Sequence, residues 1–136
     1  MQYVIDSSYN AAHSLPDEQN SHVDAFFDDL TDEDILSVLQ LFWYETSNIF
    51  RNNAVRKRIE ADDVSVMLEK TEDLNLNTDM ASGSDYSIKI FKLARDYCLT
   101  CYDAAYLELA MRKQAVLATL DNDLKEACIK AGLQTL

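Results

Sequence analysis

The chain reads as an α/β protein: a three-layer α/β/α sandwich around a central, mostly parallel sheet. Three observations carry that expectation. Short β-rich runs recur along the chain, helical patterns fill the intervals, and no linker or internal repeat breaks the alternation. Parallel neighbours need crossover connections rather than tight hairpins, which is what such alternation supplies. At 136 residues the chain fits one domain, 1–136, with one core.

The elements follow in order. Residues 2–6 open the chain as a strand, with Tyr3, Val4 and Ile5 favouring the pleated conformation, and a helix follows Asp6. Residues 20–30 form a helix, since Val23, Phe26, Phe27 and Leu30 recur at helical spacing. A second strand is expected at 35–39, a long helix at 41–59 and a third strand at 74–78. The segment 80–84, with Gly83, is the clearest loop and leads into a helix at 84–97. Thr100 opens another helix, 115–120 reads as a strand, and 121–131 is a last helix ended by Gly132. A fifth strand is expected at 133–136.

Composition narrows the function classes. Hydrophobic residues make up 48% and charged residues 26%, while glycine and proline number two and one, so a packed core is expected rather than disorder. No apolar run approaches the roughly 20 residues that span a bilayer, and no basic leader with an apolar core opens the chain. A cytoplasmic protein without a membrane role is expected. Three cysteines, Cys98, Cys101 and Cys128, are read as reduced thiols. The net charge of −12 is unevenly placed: Asp17, Glu18, Asp24, Asp28, Asp29, Asp32, Glu33 and Asp34 crowd one stretch, and no Lys or Arg precedes Arg51. Neutralising phosphates takes clustered basic residues, so binding nucleic acid by charge alone is disfavoured.

Four dispersed acids are the candidate site. Asp6 ends the first expected strand and Asp121 the fourth, and open sheets of this kind gather ligands beyond the carboxyl ends of their strands. Either acid is equally explained as the cap of the helix it precedes. Glu45 has Leu41, Phe42, Asn48 and Ile49 as helical neighbours, a largely apolar setting in which an unpaired carboxylate costs several kcal/mol. Asp103 completes a capping box with Thr100, yet its helix is apolar around most of its circumference, and Ala104 and Ala105 leave room beside it. Converging carboxylates repel one another unless a hard divalent cation such as Mg²⁺ or Mn²⁺ sits among them. The chemistry of such a centre is phosphodiester hydrolysis.

At these residues the chain resembles the PIN-domain nucleases, specifically the VapC-like toxins of prokaryotic toxin–antitoxin pairs. The resemblance runs nearly end to end through Tyr-Val-Ile-Asp6-Ser-Ser, Leu-Pro-Asp-Glu18, Phe-Trp-Tyr-Glu45-Thr-Ser-Asn48, Leu-Thr100-Cys-Tyr-Asp103-Ala-Ala-Tyr-Leu-Glu-Leu-Ala110 and Leu-Ala-Thr119-Leu-Asp121-Asn-Asp123-Leu. It implies a PIN-like fold and a metal-dependent endoribonuclease. Asp6, Glu45, Asp103 and Asp121 would be catalytic metal ligands, Thr119 would support Asp121, Asn48 would touch the site or substrate, and Asp123 would be an accessory acid. It also implies an RNA substrate, a cognate antitoxin and a homodimer. Relatives commonly carry proline where this chain has Leu39. Arg51, Arg56, Lys57 and Arg58 become candidates for phosphate or partner contacts, against the plainer reading of a solvated helix end.

Other signals weigh less. Cys98-x-x-Cys101 lacks the further ligands of a zinc site, and His13 and His22 stand isolated. Phe42, Trp43 and Tyr44 read as core and interface residues rather than base-stacking platforms. A non-catalytic interaction module would leave the acids as caps and surface charge. Receiver-like or dehalogenase-like phosphate transfer is disfavoured because Ser7-Ser8 follows Asp6 where a second acid is wanted.

Overall fold

The computed structural model describes residues 1–18 and 20–136. Four strands and seven helices are formed among them: β1 Gln2–Ile5, α1 Ser7–Ser14, α2 Ser21–Asp28, β2 Ile35–Leu39, α3 Gln40–Val55, α4 Asp63–Glu72, β3 Asn77–Asp79, α5 Ser84–Tyr97, α6 Cys101–Lys113, β4 Val116–Ala118 and α7 Asn122–Lys130. All strand pairs are parallel, in the order β3-β2-β1-β4, with Tyr3 opposite both Leu36 and Val116. The strands are short; β1, β2 and β4 bury apolar residues, as parallel strands covered on both faces do, whereas the edge strand β3, Asn77-Thr78-Asp79, is polar and only partly buried. Val4, Ile5, Val38, Leu117 and Ala118 form the centre of the core together with Phe42, Tyr106, Leu107 and Leu124.

The path from β1 through β2 to β3 runs one way along the sheet, and the connection to β4 returns past it. Right-handed crossovers then put α1–α4 on one face and α5–α7 on the other. The helices agree, with α1–α4 packing among themselves and α5–α7 likewise. Because β1 lies between β2 and β4, the direction of the fold reverses at their carboxyl ends, the place where open sheets of this kind bind ligands.

Several boundaries differ from the sequence expectation, each for a local reason. The long helix stops at Val55 rather than 59, because Lys57 turns left-handed at φ 57° and the Arg58 N–H closes back on the Asn53 carbonyl. Lys57 and Arg58 therefore lie beyond the helix. The third strand begins at Asn77, after a left-handed Asn75 at φ 55°. The expected fifth strand at 133–136 reduces to a single parallel bridge between Thr135 and Leu117. Despite Leu39 in place of a proline, β2 passes directly into α3, with Leu39 extended at φ −79° and ψ 160°.

Buried Glu108 was not anticipated. It is 2% exposed on α6 and takes hydrogen bonds from Lys89, from Tyr86 at 3.1 Å and from Arg112 Nε at 3.1 Å. Arg112 also grips Asp79 at the end of β3 with two nitrogens, at 3.1 and 2.8 Å. These bonds hold Glu108 below the usual carboxylate range even though burial alone favours its neutral form, and Arg112 lowers Asp79 in the same way.

Candidate active site

Asp6 caps β1 as the first residue past the strand, with its N–H bonded to the Ala118 carbonyl of β4 at 3.0 Å. That bond fixes its backbone at the seam between the two central strands. Its side chain is 7% exposed and carries no helix-capping bond. Three hydroxyls hold it instead: Ser7 at 3.3 Å, Ser8 at 2.7 Å and Thr119 at 2.6 Å. The capping explanation for Asp6 is therefore wrong, and a buried carboxylate oriented by hydroxyl donors takes its place.

Thr119, fully buried at the end of β4, joins two of the acids. Its hydroxyl donates to Asp6 and accepts the Asp121 N–H at 3.1 Å. The expected support of Asp121 is thus through that residue's backbone. Asp121 itself is exposed and does cap α7, accepting the Leu124 N–H on Oδ1 at 2.9 Å.

Glu45 enters from the second turn of α3 and Asp103 from the first turn of α6, both half-buried. The Tyr106 hydroxyl, itself 1% exposed, donates to Glu45 Oε2 at 2.6 Å. Burial raises the Glu45 carboxyl above its ordinary value; Tyr106 and Ser7 oppose the shift, and the charges of Asp6 and Asp103 add to it. Burial likewise raises Asp103, opposed by Thr100 and reinforced by Asp121, Asp6 and Asp123. Those mutual influences put Asp6, Glu45, Asp103, Asp121 and Asp123 within range of one another's charge. Asp103 is half-buried rather than in the interior: Thr100 Oγ1 accepts its N–H at 3.1 Å and donates to its Oδ2 at 2.6 Å.

The donor set suits a hard divalent cation. Among the described residues no Lys or Arg is hydrogen-bonded to these acids, whereas Glu108 elsewhere in the core is neutralised by Lys89 and Arg112. Glu45, Asp103 and Asp121 each commit one oxygen to a protein donor, leaving a second oxygen outside those bonds. As placed, no three acidic, imidazole or thiol side chains among the described residues stand close enough to share one ion. Each carboxylate is turned towards its own hydroxyl or cap.

The remaining candidates scatter. Asn48 is exposed one turn beyond Glu45, and Asp123 is exposed at the start of α7. Arg51 contacts Asn52, and Arg58 is paired with Asp17 at 2.8 Å, so the basic cluster is not directed at the acids by any of these bonds. Phe42 is core and the Trp43 Nε1–H bonds Thr78, but Tyr44 is 75% exposed. Sequence reasoning gave no role to Tyr106, Ser7 or Ser8. A tyrosine inside an otherwise apolar helix, and a serine pair just after a strand-end acid, were the available signals. A cavity of about 540 Å³ beneath α2 is lined by Tyr3, Tyr9, Phe26 and Leu120, and none of the four acids borders it.

No protein-family model matches the chain. It is 31% identical over 126 residues to Ribonuclease VapC3 of Pyrobaculum aerophilum, covering 93% of this chain and 94% of that protein. The crystal structure of PAE2754 from the same organism superposes with a TM-score of 0.72 at 24% identity, over 93% of this chain and 84% of the other. FitAcB from Neisseria gonorrhoeae superposes with a TM-score of 0.63 at 16% identity, over 98% and 96% of the two chains. The structural likenesses bear on the fold, which is the PIN-like α/β/α arrangement, and the sequence relationship extends along nearly the whole of both chains. The chain belongs to the VapC ribonuclease family.

Proposed function

We propose that this protein is a divalent-metal-dependent endoribonuclease, the toxin of a toxin–antitoxin pair, acting as a single domain over 1–136. What supports the reading most is one contrast: carboxylates gathered at the fold's switch point with no Lys or Arg hydrogen-bonded to them among the described residues, in a chain that elsewhere pairs buried Glu108 with Lys89 and Arg112. Asp6, Glu45, Asp103 and Asp121 would hold Mg²⁺ or Mn²⁺. Such an ion lowers the pKa of a bound water and stabilises the departing oxygen of a phosphodiester. The chain's own residues supply the positioning: Ser8 and Thr119 aim Asp6, Tyr106 orients Glu45 and favours its ionised form against burial, and Thr100 fixes Asp103.

Asn48 and Asp123, exposed at the rim, are assigned to substrate or to an outer layer of the site. Arg51, Arg56, Lys57 and Arg58 are assigned to phosphate or partner contacts, with Arg58 first having to leave Asp17. The relative's ribonuclease activity supports an RNA substrate, and the family supports an antitoxin that covers the site and a homodimeric toxin. A cytoplasmic location suits such a pair, and among the described residues no helix is long and apolar enough to cross a membrane.

One observation favours a second reading, a non-catalytic interaction module: Asp121 caps α7, and Asp103 stands in the capped first turn of α6, bonded to the N-cap Thr100. Incubating the protein with single-stranded RNA separates the two. Cleavage that requires Mg²⁺ or Mn²⁺ and disappears in Asp6→Asn supports the nuclease. RNA left intact by the folded wild type, or cut equally by Asp6→Asn, leaves the module.

A further inference from the structure

Cys98 and Cys101 flank the two residues that join α5 to α6, and both thiols are free and exposed. Cys98 ends α5 in the left-handed conformation, at φ 56° and ψ 40°, a region that residues other than glycine, asparagine and aspartate seldom adopt. Cys101 is the first residue of α6, directly after the N-cap Thr100. Leu99 and Thr100 between them form neither turn nor bend, and Thr100 is extended at φ −65° and ψ 158°. That extended Thr100 is the residue that both caps Asp103 and donates to its carboxylate.

A disulfide needs Cα atoms roughly 4.4–6.8 Å apart. With Thr100 extended and no turn at Leu99, the three steps from Cys98 to Cys101 span up to about 10 Å. Bridging these cysteines therefore forces Leu99 and Thr100 into a turn, and the turn carries the Thr100 hydroxyl off Asp103. We propose that Cys98 and Cys101 form a reversible dithiol–disulfide pair whose oxidation withdraws Thr100 from Asp103 and disables the acid site. The effect on cleavage rests on Asp103 belonging to that site; the effect on the α6 cap does not.

The oxidant is a low-molecular-weight disulfide such as oxidised glutathione. One cysteine thiol loses its proton and attacks a sulfur of the oxidant, whose S–S bond breaks to release one reduced glutathione and leave a mixed disulfide. The second cysteine, also deprotonated, attacks the protein-side sulfur and expels the other reduced glutathione. Two electrons and two thiol protons have then left the protein, and the oxidant has become two thiols. Because the bridge is made against a preferred extended backbone, a dithiol reductant opens it readily. Cys128 is buried and bonded to the Gln134 carbonyl, so it stays apart from this chemistry.

The test exposes the whole chain to oxidised glutathione and reads intact mass, amide exchange at Asp103 and RNA cleavage. Expected are the loss of two hydrogens with a linked Cys98–Cys101 peptide, faster exchange at Asp103, and cleavage reduced about 10–100-fold, the usual effect of losing a group that orients a metal ligand. Dithiothreitol restores all three. Cys98→Ser and Cys101→Ser keep full cleavage and do not respond to the oxidant. Glutathione adducts without a link, or a linked protein whose Asp103 exchanges unchanged, would overturn the proposal. If the reduced protein cuts no RNA, the nuclease reading fails alone, since mass and exchange still decide the switch.

Discussion

Tyr106→Phe removes one oxygen from a fully packed site and leaves the ring in place. The lost hydroxyl donates to Glu45 at 2.6 Å from a position 1% exposed, so water has no easy route to replace it. A hydrogen bond to a charged group contributes about 1.5–3 kcal/mol. That bond favours the ionised carboxylate, the form a cation needs, so apparent Mn²⁺ affinity at fixed pH should fall about 10–100-fold. Glu45 already sits above its ordinary range, chiefly through burial, and the variant pushes it further. The pH profile of cleavage should therefore move to higher pH. The stability sign is opposite: a carboxyl raised by folding penalises the folded state when ionised, and the penalty lifts as pH falls through its folded pKa. Calorimetric Mn²⁺ titration and a cleavage profile read both effects. Wild-type affinity and an unmoved profile in a folded Tyr106→Phe protein would refute the account of Glu45.

Arg112→Ala strips donors from Glu108 and Asp79 and should cost about 2–3 kcal/mol in denaturant unfolding at neutral pH. That is less than a fully buried pair costs, because Arg112 is 37% exposed. Both acids are held low by their partners, so this stability is present above the ordinary carboxyl range and lost as pH falls through their lowered pKa values; the variant should lose part of that acid dependence. Asp103→Asn should raise the thermal midpoint of the metal-free protein by removing one repelling charge, while abolishing the stabilisation that Mn²⁺ gives the wild type; an unchanged metal response would count against a shared site.

Much of the architecture was legible because local pattern and global fold agree. Residues 35–39 and 84–97 form the expected strand and helix, and Thr100 and Asp121 cap where a short oxygen-bearing side chain precedes a helix. Boundaries failed where a single residue turned left-handed, at Lys57 against its propensity and at Asn75, a residue that tolerates that conformation. The segment 133–136 carries strand-forming residues, but at the sheet edge one bridge is all its partner supports. The acids at strand ends could be read from topology. Their orienting hydroxyls could not, because Tyr106 meets Glu45 across 61 positions and Thr119 meets Asp6 across 113. Glu108 looked like any helical acid, since Tyr86 and Lys89 reach it from another helix.

The central claim is that Asp6, Glu45, Asp103 and Asp121 form one metal-binding centre at the carboxyl ends of β1 and β4. Crystals of the protein grown with Mn²⁺ and measured for anomalous scattering test it most directly. The account predicts a peak between Asp6 and Asp103, absent from Asp6→Asn crystals grown under the same conditions. No peak there at saturating Mn²⁺, or a peak unchanged by Asp6→Asn, would contradict it.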